Sequence, residues 1–395
     1  MSTPEIKGWC PGALRPMMSG DGLVVRIRPR LARLTAEQAM GIADLSRRFG
    51  NGLIDLSSRA NVQLRGVTEA SHSALIDGLR DLGLVDDDAA LEARRNITVT
   101  PFWTGVDETC QIAAALETGL AGPDAPALPG KFGFAVDCGP SPVLQDVSAD
   151  IRIERNADGL ICRADGGETG MPVTERTAAE AALELASWFL GTGGAPDGRG
   201  RMAKHLASGV QMPQVMCKTK ACQSSFSAHP GATKTGALVG FEFGQIDADL
   251  LSELAALGPI RVTPWRMLLL EQGDVTPDLG PTRTSFANGR DNLITQSDDP
   301  RLRVTACTGA PACTQAIGET RPLARRLANA IAPNTHLHVS GCSKGCAHPT
   351  VCDITLVATA PDEYDLIRNG RAQDAPAMTG LTQDQIQEAL NAPHL

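Results

Sequence analysis

The sequence predicts an α+β chain built by internal duplication, and three observations carry that reading. The 395 residues exceed what one ordinary core encloses and point to two to four domains. Segments of strand and helix pattern follow one order, and the order recurs about 210 residues later. Four cysteines crowd into the C-terminal part of only one of the two copies.

The first copy opens with DGLVVRIRP, whose alternation is that of a half-buried strand. TAEQAMGIADLSRRFG follows as a helix. Thr35 stands as its cap with Gln38 three residues on, a capping-box arrangement. NGLIDLSS and NVQLRGV then read as two strands around Arg59. In the second copy GALVGFEFG, DADLLSELAALG and PIRVTPWRMLLLE repeat the order strand, helix, strand, strand.

A second pair of units repeats as well. NITVTPFWTG is similar to LRVTACTGAP, and KFGFAVDCGPS (131–141) to HLHVSGCSKGC (336–346). DIRIERNADGLICRADGG (150–167) is similar to DITLVATAPDEYDLIRNG (353–370). The chain thus reads A–B–A′–B′. The boundaries are a first half-domain over 1–85, a first α/β domain over 86–190, a Gly/Pro-rich linker over 191–232, a second half-domain over 233–295 and a second α/β domain over 296–395. The two A units are expected to pair about a pseudo-twofold axis. The B units then face each other across a cleft, a preferred place for a large ligand.

Cys307 and Cys313 lie in VTACTGAPACTQ, and Cys342 and Cys346 in HLHVSGCSKGCAHP. The spacing is C-x5-C, a gap of 28 residues, then C-x3-C. Four thiolates on two loops suit an iron–sulfur cluster or zinc. Structural zinc sites space their first pair more tightly, C-x2–4-C. Gly309, Pro311, Gly341 and Gly345 give these segments the composition of loops that curl around something. Unrelated buried thiols are the third reading. Cys110, Cys138, Cys162 and Cys352 read as buried, Cys10 as a turn cysteine, and Cys217 and Cys222 as flexible-segment thiols or a second metal site.

The net charge of −9 argues against general nucleic-acid binding. Residues 1–65 nevertheless carry ten Lys/Arg, from Lys7 to Arg65, against five acids that include Glu5. Such a basic face suits a small polyanion, or is a solvated arginine surface. No run approaches the roughly 18 apolar residues of a membrane span. The first residues lack the apolar core of a secretory signal. Eleven cysteines without an export signal lead us to expect a cytoplasmic protein. GDG at 20–22 opens no helix, so no dinucleotide fingerprint is present.

The A–B–A′–B′ order and the cysteine set resemble the nitrite/sulfite reductase superfamily. The resemblance implies ferredoxin-like half-domains plus two α/β domains, a 4Fe–4S cluster on Cys307, Cys313, Cys342 and Cys346, and Cys346 as the ligand that bridges to a sirohaem iron. It also implies that basic residues of the first half bind an anionic tetrapyrrole and substrate. SSRANVQL gives Arg59, RRNITV gives Arg95 and LPGKFGF gives Lys131. Sulfite reductases carry a second lysine where this chain has Gly133, and reductases commonly carry Pro-Asn between the last two cysteines, where this chain has Ser343, Lys344 and Gly345. A missing cation weakens the case for a small dianion.

Those departures, with CPGALRPMMSGDGLVVRIRP and SGCSKGCAHP, are similar to the precorrin-3B synthase branch of the superfamily. That branch implies an O2-dependent monooxygenase of aerobic cobalamin synthesis. It hydroxylates precorrin-3A at C20 and closes a γ-lactone from a ring-A acetate. The branch further implies a non-haem iron beside the cluster, with sirohaem the less favoured cofactor. His348 is a candidate ligand for that iron, because imidazole suits it. The chain shows no flavin or NAD domain, so electrons are expected from an external reductase or ferredoxin-like donor. Neither nucleic acid nor membrane is an expected partner. Two rivals stand: a sirohaem-dependent nitrite or sulfite reductase, and a non-catalytic electron-transfer protein.

Overall fold

A five-stranded sheet and a six-stranded sheet, whose sixth strand Leu293–Ile294 pairs off the main path with Gly236–Phe241, exchange one strand each, and this exchange fixes the architecture. The structure, a computed structural model, describes residues 10–271 and 293–391. Glu5, Lys7 and the part of the expected second half-domain over 272–292 lie outside the described residues.

The first sheet runs Met17–Ser19, Gly22–Ile27, Val62–Val67, Leu53–Leu56 and then Gln245–Asp247 from the second half of the chain. The second sheet runs Gly231–Thr233, Gly236–Phe241, Met267–Glu271, Ile260–Val262 and then Arg33–Leu34 from the first half. The exchanged strands each follow the same irregular turn, with Leu31 at φ 53° and Phe243 at φ 56°. Ala60 (φ 53°) and Arg266 (φ 60°) form a second matched pair, each just before the last strand of its unit. A left-handed residue recurring at equivalent points is a backbone signature of duplication, since non-glycine residues rarely adopt it.

The helix Ala36–Phe49 starts where Thr35 Oγ1 accepts from Gln38 N–H and Gln38 Oε1 accepts from Thr35 N–H. The helix Ala248–Ala255 starts at Asp247, which accepts from Leu250 N–H. The two helices pack against each other. One core joins both halves: Ile42, Ile54 and Leu64 share it with Leu250, Leu254, Ile260 and Leu268. The two half-domains therefore fold as one unit, because neither buries its apolar face alone.

The two α/β domains repeat one topology. In the first, Ile97–Val99, Phe134–Asp137 and Ile151–Arg155 are parallel neighbours, followed by antiparallel Leu160–Ala164 and Thr169–Val173. In the second, Val304–Ala306, Leu337–Ser340 and Cys352–Ala360 are parallel, followed by antiparallel Glu363–Gly370 and Met378–Leu381. Helices Glu108–Ala121 and Arg321–Leu327 occupy the matching crossovers.

Residues 191–232, expected as a linker, carry structure. Met202–Ala207 is helical, and Thr219–Lys220 adds an edge strand beside Thr169–Val173. Met202 is fully buried in the first α/β core, with Leu206, Met212 and Met216 packed against it. These apolar side chains hold the segment down despite its Gly/Pro content.

Candidate cluster and anion site

The first half-domain sheet has two unlike faces. Val25, Ile27, Ile54 and Leu64 point into the shared core. Arg26, Gln63, Asp55 and Gln245 stand on the other face in a single cross-strand row. The equivalent face of the second sheet is apolar, with Leu238, Met267 and Leu269 covered by Phe102 and Trp265. Duplication has thus left one half polar and the other sealed.

At one end of the polar row lies a group of cations. Arg26 holds Gln63 Oε1 through Nε and Nη2 at 3.0 and 2.6 Å, and its Nη1 is buried without a partner. Arg59 donates from Nη2 to the Lys131 carbonyl at 2.9 Å and to Ser148 Oγ at 3.3 Å. Cys10 sits among them. Burial alone would push its thiol up, but Arg26, Arg59 and Lys131 outweigh burial and bring it below its ordinary value. Among the described residues, Arg26, Arg59 and Lys131 have no carboxylate within ion-pair distance. Cys10 and Gly130 also line an adjoining cavity of about 530 Å3 with Arg15, Arg28, Glu92 and Arg199.

The other basic residues of the segment have different employment. Arg28 pairs with Glu92 at 2.7 Å, Arg33 with Glu271 at 2.8 Å, Arg65 with Asp21 at 2.6 Å and Arg47 with Asp249 at 2.8 Å. Lys7 is outside the described residues. The basic excess over 1–65 therefore narrows to a few side chains around Arg26 and Arg59. Arg95, expected at the anion site, is buried and held by Asp86 at 3.0 Å and Glu117 at 3.6 Å. It lines one small recess with Arg59 and Asn96, but two carboxylates already answer its charge.

Gly133 lies under Arg59. A Cβ there would stand 3.3 Å from Arg59 Nη1 and 3.2 Å from the Asn96 carbonyl oxygen. The space that a second lysine would enter is occupied by the Arg59 guanidinium.

Beside the same face, past Arg65 and Asp55, the four cysteines are neighbours. Gly309 (φ 72°) and Gly345 (φ 59°) supply left-handed turns inside the two loops. Cys307 Sγ accepts from Gly341 N–H at 3.2 Å, and the Cys342 thiol receives the Lys344 N–H. Cys342 is buried, Cys307 and Cys313 are partly buried, and Cys346 is the exposed one of the four. Enclosure of its sulfur and then Cys307, Cys313 and Cys342 push Cys346 up to about 11. Cys342 and Cys346, raised by burial and then by their thiol neighbours, resist becoming thiolates unless cations join them. Among the described residues no three His, Cys, Asp or Glu side chains gather closely enough to hold a single metal ion. Ligands of one zinc would each lie about 2.3 Å from it, whereas each iron of a cubane takes its own thiolate, so the four stand farther apart. The donor set and the N–H···S contacts fit a 4Fe–4S cluster. The described residues do not assemble a mononuclear iron site. His348 bonds locally, through Nε2, to Thr350 Oγ1 at 3.0 Å and the Val351 carbonyl at 3.3 Å.

The first half-domain grips the cysteine loop. The Ala312 carbonyl accepts from Ser19 Oγ at 2.6 Å, Gly20 N–H at 3.0 Å and Arg65 Nη2 at 3.1 Å. A Cβ on Gly20 would lie 2.0 Å from the Pro311 carbonyl oxygen, so only glycine permits this approach. Arg65 continues to Asp55, which also meets Arg321 at 3.2 Å. Arg266, from the second half-domain, donates to the Ala347 carbonyl at 3.1 Å. Its charge is felt by Asp55, Cys346 and Cys307, although burial pushes its own pKa down. From the sequence Arg26 counts only as one of the ten cations of residues 1–65, and Ser19, Ala312 and Arg266 are not singled out. Only Arg26 had a signal, the alternation of Arg26 and Arg28 on one strand face.

Beneath the second cysteine loop lies His338. It is 0% exposed, and neither ring nitrogen has a partner. Burial, then His348 and Arg266, lower its pKa to about 4. An unpaired buried polar group costs about 1–3 kcal/mol.

Comparison with known proteins agrees with this architecture. The family described as the nitrite/sulfite reductase ferredoxin-like half domain matches residues 15–82. The chain is similar to proteins of the nitrite/sulfite reductase superfamily over most of its length. A precorrin-3B synthase of Sinorhizobium sp is 28% identical, over 94% of this chain and 84% of that protein. A chloroplastic ferredoxin–nitrite reductase of Zea mays is 26% identical, over 84% of this chain and 68% of its own length. The structure of the Mycobacterium tuberculosis NirA protein superposes with a TM-score of 0.61 over 93% of this chain and 79% of that one, at 17% identity. The superfamily fold, α+β and internally duplicated, is thus established. Among the described residues no helix is long and apolar enough to cross a membrane.

Proposed function

We propose that this chain is a precorrin-3B synthase that binds its tetrapyrrole between the Arg26–Arg59–Lys131 cations and a 4Fe–4S cluster on Cys307, Cys313, Cys342 and Cys346. One observation carries the reading: cations without a paired carboxylate and four neighbouring thiols both lie beside one polar sheet face. The likeness to the Sinorhizobium enzyme supports the choice of substrate. Precorrin-3A bears many acetate and propionate arms. Arginine forks pair with carboxylates bidentately, and Lys131 adds a point charge. Arg59 is oriented by Lys131 and Ser148 before any ligand arrives, so little ordering is lost on binding.

In this reading Gly133 favours a broad macrocycle over a small dianion, because the arginine fills the place of a second cation. Hydroxylation places one atom of O2 on the macrocycle. The other leaves as water, with two electrons and two protons from an external donor. The cluster, when bound, supplies single electrons. Arg59 and Lys131 hold the carboxylate arms in register.

Purification without oxygen, followed by iron, sulfide and extracted-tetrapyrrole assay, tests the reading. Four irons and four sulfides per chain, no sirohaem and conversion of precorrin-3A under air are expected. Intense sirohaem bands with reduction of nitrite or sulfite would transfer the chain to the reductases.

A further inference from the structure

We propose that His338 donates a hydrogen bond to the cluster from beneath the Cys342–Cys346 loop and thereby sets its reduction potential. The inference rests on the cluster reading above. His338 lies in the strand Leu337–Ser340, between two parallel neighbours. Leu337 and Val339 point into the core beside the helix Arg321–Leu327. His338 and Ser340 point the other way, as strand alternation requires. Ser340 on that face already holds the cysteine loop, its Oγ donating to the Cys342 carbonyl at 2.8 Å.

The imidazole is wholly enclosed and has no partner at Nδ1 or Nε2. Its Cε1 would be 3.7 Å from a Cβ on Gly345, the residue before Cys346. In the row across the sheet, the Thr355 hydroxyl is engaged by the Gly370 carbonyl, and Ile367 beyond it is apolar. The titratable groups facing the ring are His348, at 5.7 Å between ring centroids, and Arg266. Arg266 offers no acceptor, His348 Nε2 is engaged by Thr350 and Val351, and burial, ahead of both neighbours, disfavours the charged imidazole. A neutral imidazole carries one N–H in either tautomer. Buried donors are seldom left unpaired. No cysteine sulfur reaches either ring nitrogen, so the acceptor this face leaves room for is a sulfide of a cluster held by the loop above it.

A hydrogen bond to a cluster sulfur favours the more negative, reduced state and raises the potential. The experiment is an EPR-monitored redox titration of the full, cluster-loaded chain. His338→Leu is expected to shift the potential to a more negative value with iron and sulfide unchanged, and His338→Gln or His338→Asn, which keep a donor, to recover part of that shift. In wild-type protein labelled with 15N-histidine, the reduced cluster is expected to show a nitrogen hyperfine coupling that His338→Gln abolishes. A fully loaded His338→Leu chain at the wild-type potential overturns the inference. Should His338→Leu fail to load, the labelled wild type decides: coupling upholds the inference and its absence overturns it. A wild-type chain without iron and sulfide instead overturns the cluster reading, and this inference with it.

Discussion

Arg59 Nη2 donates to the Lys131 carbonyl at 2.9 Å, which ties a loop of the first half-domain to the strand entry of the first α/β domain. The same guanidinium covers Gly133. Two of the expected anion-binding residues thus meet at one junction between the domains, and the residue that departs from the sulfite reductases lies under the arginine.

Removing either cation should affect ligand and not fold. Arg59→Ala and Lys131→Ala are expected to weaken binding of precorrin-3A about tenfold or more each, on the order of 1.5–3 kcal/mol per charged hydrogen bond. The visible spectrum of the cluster should stay as in the wild type. Fluorescence titration with the tetrapyrrole checks this; unchanged affinity would refute the assignment.

Gly133→Lys tests the departure directly. Its Cβ must displace Arg59 or the Asn96 carbonyl, so a stability loss of about 1–3 kcal/mol is expected from overpacking. The gain of a cation should not rescue tetrapyrrole affinity, because Arg59 loses its place. Urea unfolding and the same titration read both effects. Gly133→Ala should sit between wild type and lysine.

Gly20→Ala is expected to undock the cysteine loop, since its Cβ would fall 2.0 Å from Pro311 O. Iron content per chain after reconstitution should drop severalfold, while the shared half-domain core keeps its helix signal. Full iron loading in this variant would show that the Ser19–Gly20 clasp on Ala312 is dispensable.

How much of this was legible in the sequence follows from which signals are local. The capping box at Thr35, the repeated strand order and the cysteine spacing are encoded within short windows, and they locate the duplication and the thiols. The strand exchange was not legible, because Arg33–Leu34 and Gln245–Asp247 are too short to announce a partner. Charge counting overestimated the basic face, since Glu92, Asp86 and Glu271 are distant in sequence yet neutralise Arg28, Arg95 and Arg33 in space. Cys10 read as a turn cysteine. Its cationic surroundings come from three separate segments, so no window contains them.

Glu92 carries one of those hidden pairings. It accepts from the Ala13 and Leu14 N–H groups at 2.5 and 3.1 Å and faces Arg28, with both partners of the ion pair only 5% exposed. Glu92→Gln leaves a buried guanidinium uncompensated and should cost ~3–5 kcal/mol. A urea midpoint within experimental error of the wild type would contradict this.

Two buried groups act on stability in overlapping pH ranges with opposite sign. Burial raises Asp137 to about 6. Its contribution is therefore full below its unfolded value, near ~3.9, and is lost as pH rises through 6. His338 is lowered to about 4, so its contribution is present above ~6.5 and is lost as pH falls through 4. Asp137→Asn should make stability rise more steeply between about pH 4 and 6, and His338→Gln should flatten it. Urea midpoints across that range check both slopes.

Turnover under 18O2 addresses the central claim most directly. Purified cluster-loaded protein, precorrin-3A and an electron donor should yield a product carrying one 18O atom in its new hydroxyl group, and Arg59→Ala should slow its formation. Absence of labelled product from a fully loaded chain, together with reduction of nitrite or sulfite by a bound sirohaem, would contradict the account.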